Sequence, residues 1–385
     1  VLALTLLGLE GYLGWRHLQA WRHYGEAERA LEKGEFAEAR THLDSCLRIW
    51  PGSAATHLLA ARAARRANLL DEAAEHLDAC AELGGPAETI ALEEDLIRAQ
   101  RGELEDVEPK LLACLSQDHP DSLLILEVIT GQLMEAYRFP EAQAYLDLWL
   151  KRRPNDRLAL VRCGWVREHL LDLEGAIQSY RRALDLDPKR DQRENDRVRL
   201  RLGQLLVQKY RARQAIEHFE GMYERQPHNQ DVVLGLARCW RQLNRDEEAG
   251  KLLDAFLAKR PRSGQVLGER GRLALDRGLT NDAERWLREA ATLCPYDRSI
   301  IFNLAKCLEA LDKKTEAARY AARLSRIKAD EQRMHQLMQE IRKSPREPAL
   351  RHEVAKIFLR NGLHDDGMRW LKTAQQLERG SDARR

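Results

Sequence analysis

Apolar positions along the chain follow a helical spacing that repeatedly restarts. A small residue, Ala39, Ala74, Ala142, Ala176, Ala215, Ala249 or Ala283, with Ala317 continuing the series, lies about twelve residues before a recurring proline. Four residues beyond most of these alanines comes a larger apolar side chain: Leu43, Leu146, Tyr180, Phe219, Leu253 and Leu287. Four residues is about one helical turn, so each pair shares a face. A second apolar helical pattern precedes each of these, with Ala27, Gly164, Gly203, Ala237, Gly271, Ala305 and Ala355 where two backbones would meet. Turn sequences such as Lys33-Gly34-Glu35, Asn244-Arg245-Asp246 and Arg277-Gly278-Leu279 separate the two helices. The prolines Pro51, Pro86, Pro120, Pro154, Pro188, Pro227, Pro261 and Pro295 then halt the second helix, at intervals of 35, 34, 34, 34, 39, 34 and 34 residues. One unit is therefore helix, tight turn, helix, stop.

This period, with its small residue, its alanine, its Leu or aromatic and its closing proline, resembles the tetratricopeptide repeat family over almost the whole chain. The resemblance implies an all-α, right-handed superhelical solenoid of helical hairpins, first helices lining a concave face and second helices a convex one. Nine repeats are expected over residues 20–329, with a charged insertion at 189–195, an extra helix at 330–347, a final hairpin at 348–379 and a tail at 380–385. Residues 89–120 depart most from the pattern, with Glu108 at the usual alanine and Pro109 beside it. A hairpin of 34 residues cannot bury enough apolar surface to offset ordering its chain, so each unit depends on its neighbours.

Composition narrows the partners. The chain has 63 basic and 61 acidic side chains, a formal net charge of +2, with 44% hydrophobic and 32% charged residues. That balance gives no general pull toward nucleic acid or anionic lipid, so any basic site is local. Seven cysteines with no C-x-x-C spacing argue against a disulfide framework. The opening run VLALTLLGL is interrupted by Glu10 and is too short to span a bilayer. Residues 1–19 read either as the remnant of a signal peptide or membrane anchor, which places the chain at a membrane or outside the cell, or as a first amphipathic helix packed on the repeats, which leaves it cytoplasmic.

No phosphate-binding glycine loop, zinc-hydrolase helix or nucleophile elbow is present, so no cofactor and no catalysis are expected. His42 with Cys46 and His76 with Cys80 form a doubled i,i+4 metal-ligand spacing. The simpler account is core packing: Cys46, Cys80 and Cys114 recur at 34-residue intervals, three residues after Leu43, Leu77 and Leu111. Trp149 and Trp240 fall on apolar repeat positions and are expected in the core.

In the resembling family the residue after the small residue of the first helix points into the concave groove. Here that position holds Arg238, Arg272, Lys306 and Lys356, with Arg62 extending the series and Trp165, after Gly164, offering an apolar contact. The resemblance thus implies a non-enzymatic scaffold whose groove takes a peptide or protein partner, acidic if the basic ladder recognises it. The family's clamp for chaperone C-termini is not met, since its lysine and asparagine positions hold Leu234 and Arg238, or Phe302 and Lys306. Two other classes stay open: an accessory or docking region of a larger enzyme or of a secretion or assembly complex, and an RNA-binding helical repeat, disfavoured because aromatics do not interleave with the ladder.

Overall fold

Several of the proline stops are followed two residues later by the residue that caps the next first helix. Ser53, Asp156, Asn229 and Asp297, two beyond Pro51, Pro154, Pro227 and Pro295, each accept a hydrogen bond from a backbone N–H of the helix they open. The computed structural model describes residues 2–117, 119–186, 192–344 and 346–382, all helix or connecting turn, with no strand among them. The chain divides into two units, 1–132 and 133–385.

The first unit holds α1 (Leu2–Lys33), α2 (Phe36–Leu47), α3 (Ala54–Arg66), α4 (Leu70–Glu82), α5 (Ala87–Arg98) and α6 (Leu104–Ser116), paired in order as hairpins; the division falls within α7 (Ser122–Glu135). α1 is continuous from the apolar opening run into the first hairpin, so residues 1–19 are not a separate element. Between α5 and α6 the turn Ala99–Glu103 is a widened helical loop bent at Gly102, whose φ of 99° only glycine adopts readily. The repeat register here differs from the one read in the sequence: the buried alanine of α4 is Ala73 rather than Ala74, and its counterpart in α6 is Val107 rather than Glu108. The unit at 89–120 thus keeps its core position.

The second unit runs α8 (Phe139–Arg152), α9 (Arg157–His169), α10 (Leu173–Leu186), α11 (Gln192–Gln208), α12 (Ala212–Arg225), α13 (Gln230–Gln242), α14 (Asp246–Lys259), α15 (Gly264–Asp276), α16 (Thr280–Leu293), α17 (Arg298–Ala310), α18 (Lys314–Lys343), α19 (Pro348–Arg360) and α20 (His364–Asp382). One apolar core extends from Ala176 to Ile327. Consecutive first helices from α11 to α17 touch one another as well as their own partners, which puts them on the more closely packed side of the stack. The small first-helix residues act as sockets: a Cβ added at Gly164 would lie 2.6 Å from the Tyr180 ring, and one at Gly203 2.7 Å from Phe219. Residues 189–191 of the insertion expected at 189–195 lie outside the described residues, and 192–195 begin α11. The separate helix expected at 330–347 is instead the second half of α18, because nothing between Asp330 and Lys343 breaks the helical run. α20 likewise continues to Asp382, past the expected start of the tail. Trp149 is buried as expected, whereas Trp240 is half-buried at the core's edge, with the Arg245 guanidinium over its ring.

Every hairpin turn contains one residue in the left-handed region. Glycine or asparagine fills several of these places, but Leu171, Tyr137 and Tyr210 take φ values of 63°, 53° and 56°. A branched or aromatic residue is strained there by about 1 kcal/mol or more. Tyr210 is 86% exposed and so gains little packing in return. Tyr210→Gly is expected to raise the stability of the second unit by on the order of 1 kcal/mol in urea titration, while Tyr137→Gly, which discards a packed ring, lowers it.

Candidate protein-binding groove

The predicted groove residues meet different fates. Arg238, Arg272 and Lys306 lie on α13, α15 and α17, first helices that touch in series, so the structure does bring their segments together. Lys356 is set apart, because α19 packs on α18, whose second half is held to it by Arg333 with Glu353 and by Asp330 with Arg360 and Asn361.

Arg238 is not an open cation. Its Nε donates to Glu269 Oε2 at 3.1 Å, and Arg241 Nε donates to the other oxygen at 3.0 Å. Glu269 is buried on α15, one turn before Arg272, so the pair of arginines clamps a carboxylate of the next repeat. The first unit repeats this clamp at the same spacing: Arg62 and Arg65 donate to Glu93 at 2.7 Å each, and Arg62 also holds Asp121 at 2.8 Å. Arg62 and Arg238 therefore join consecutive hairpins. Two arginines three residues apart, followed by a glutamate 31 residues after the first, were the sequence signal for it.

Arg272 is held loosely, its Nε 4.0 Å from Asp276. Lys306 and Lys356 are exposed and make no ion pair among the described residues. One turn before Lys306 on α17 stands Phe302, 48% exposed, an apolar ring on the same helical face. Sequence reasoning had Phe302 only as a departure from the chaperone clamp.

Trp165 sits in a ring cluster. It lies 4.0 Å from His169 and 5.3 Å from Phe139, centroid to centroid. Tyr137 and Phe139 in turn meet Trp370 of α20 at 4.6 and 6.4 Å, and Tyr137 lies 3.2 Å from Asp366. The cluster fastens α20 to α8 and the turn before it, and the half-buried Trp165 ring on α9 is engaged in it.

The histidines and cysteines of the metal-like spacing also part company. Cys46 and Cys80 are buried, Cys46 donates to the Ala20 carbonyl at 3.2 Å, and burial pushes its thiol up to about 11. Cys114 is only half-buried. The imidazoles instead pair with imidazoles, His23 with His42 at 2.9 Å and His57 with His76 at 3.2 Å, Nδ1 to Nδ1. No group of three or more metal-ligating side chains forms among the described residues.

Burial, then the neighbouring His57, holds His76 below the usual histidine range, against the opposing pull of Glu72, Asp44 and Glu75. Burial does the same to His169 and His218. Below the ordinary value near 6.5 the unfolded chain takes up protons that the folded chain resists. Stability is thus complete above that pH and falls on acidification. Thermal melts from about pH 7.5 to about pH 5.5 should show a declining midpoint, with a shallower decline in His76→Gln. Glu269→Gln, which takes from Arg238 its counter-charge and leaves Arg241 only Asp276 at 3.9 Å, should cost about 3 kcal/mol in urea titration, against under about 0.5 kcal/mol for Arg272→Gln.

Two models of the tetratricopeptide repeat match the chain, one at residues 206–273 and one at 24–87 and 133–191. No curated protein matches it. Among solved structures it is similar to a tetratricopeptide repeat protein from Parabacteroides merdae, with 17% identity over 61% of this chain and 91% of that one and a TM-score of 0.51. It is also similar to human IFIT1, solved as a dimer with m7Gppp-AAAA, with 12% identity, 85% and 90% coverage and a TM-score of 0.40. PilW, a type IV pilus biogenesis factor, gives 19% identity, 53% and 92% coverage and a TM-score of 0.43. The last two superpose too loosely to carry an argument, and the first shows the fold. With the period, the sockets and the family models in agreement, the chain is a tetratricopeptide repeat protein, an all-α solenoid of the kind that serves as a scaffold for protein interactions.

Proposed function

We propose that the second unit is a non-enzymatic scaffold that takes an acidic, apolar-bearing segment of a protein partner on its first helices. The observation that carries this reading is on α17, where exposed Phe302 and Lys306 stand one turn apart and the lysine has no ion partner among the described residues. An aromatic ring beside an uncommitted cation fits a peptide with an apolar side chain next to a carboxylate. Arg272 on the neighbouring first helix extends the positive field at little cost, since its link to Asp276 is long. Lys356 adds a further cation on α19. Arg238 supports the frame of this unit and Arg62 that of the first, and Trp165 contributes through the ring cluster.

The test is capture from lysate of the source organism with the wild-type chain beside a Phe302→Ser, Lys306→Glu variant, read by mass spectrometry at low and high salt. Both positions are exposed, so the variant should melt like wild type. Partners that are lost from the variant and weakened by salt are expected. Identical captures from the two chains would sink the reading.

A further inference from the structure

The middle of α1, from Trp15 to Trp21, carries an exposed surface that the groove does not use. Trp15 is 54% exposed, Leu18 69% and Trp21 66%, spaced three residues apart along the helix. Trp21 meets Trp50 edge-on at 5.4 Å, and with Tyr24, Ile49 and Pro51 they line a shallow, mainly apolar hollow. The polar edge of Trp50 is satisfied by donation to His17 Nδ1 at 2.7 Å, so it adds apolar area without an orphaned N–H. The sequence around these residues, WRHLQAWRHY, places an arginine and a histidine directly after each of two tryptophans. No acidic residue occurs between Glu10 and Glu26, although the whole chain has nearly as many acids as bases.

We propose that this face of α1, formed by Trp15, Leu18 and Trp21 with the exposed Arg22 among them, binds the headgroup zone of an anionic lipid bilayer. Indole rings join an apolar body to a polar N–H and concentrate where a membrane meets water. Arginines beside them gain from anionic headgroups within a Debye length of the surface. Apolar and basic side chains interleaved on one helix are what an interfacial helix requires. No helix of the described residues is long and apolar enough to cross a membrane. A second copy of the chain suits the face less well. A two-fold contact would set the Arg22 of each copy against a stretch holding no carboxylate to pair with.

Flotation of the full chain with vesicles of phosphatidylcholine, with and without phosphatidylglycerol, tests the proposal. Wild type should float with the anionic vesicles and shift its tryptophan emission to the blue. Trp15→Ser, Leu18→Ser, Trp21→Ser, all at exposed positions, should bind about tenfold less or weaker while keeping its circular dichroism. Arg22→Gln should weaken the preference for anionic over neutral vesicles. Absence of flotation in wild type would overturn the proposal, as would equal flotation of the triple variant, which would move binding to the preceding run VLALTLLGL. Self-association abolished by the triple variant, without vesicle binding, would assign the face to a second copy and overturn it as well. The groove variant Phe302→Ser, Lys306→Glu should float like wild type, so the two readings fail separately.

Discussion

Phe219 shows the contact on which the rest of the solenoid depends. Its ring lies against Gly203 of its own hairpin and Gly235 of the next, where an added Cβ would approach it to 2.7 and 2.1 Å. One large side chain thus fixes both the closure of a hairpin and the seating of its neighbour. A hairpin alone leaves that ring half uncovered, and the apolar area lost would exceed what so short a chain can spare. Stability is consequently shared along the stack, and a change in one socket is felt by at least two units.

The same coupling decides what polar residues can do. Where a first-helix arginine faces a buried glutamate of the next repeat, as Arg62 faces Glu93 and Arg238 faces Glu269, its charge is committed to the join between hairpins. A carboxylate removed from water without such partners would be costly, so these arginines are held for structure. The lid of rings between Tyr137, Phe139 and Trp370 makes a comparable join between residues more than two hundred positions apart.

Regular features were legible in the sequence because the repeat prints them many times. The sockets at Gly164 and Gly203, the larger partners Tyr180 and Phe219, and the prolines before each cap all follow from one period and one helical spacing. Single events were harder to read. Ala73 and Ala74 are equally small, and only the four-residue spacing to Leu77 marks the buried one, just as the spacing to Leu111 marks Val107 beside Glu108. The length of α18 escaped because a missing proline reads as an insertion until the continuous hydrogen-bonded helix is seen. The commitments of Arg62, Arg238 and Trp165 depend on side chains of other repeats, and a ladder read along one register does not contain them.

That register, taken together with the next repeat's, separates structural from available cations. Thirty-one residues beyond Arg62 and Arg238 stand Glu93 and Glu269, each buried and each bonded to two arginines. Thirty-one beyond Arg272 stands Asn303, buried and neutral, and thirty-one beyond Lys306 stands Leu337, buried and apolar. Neither can neutralise the cation before it. Loss of the buried acid removes the clamp and leaves the positive charge on the surface, where solvent bears the cost of holding it open. Along α15 and α17 the charges of Arg272 and Lys306 are therefore not bound into the joints between repeats.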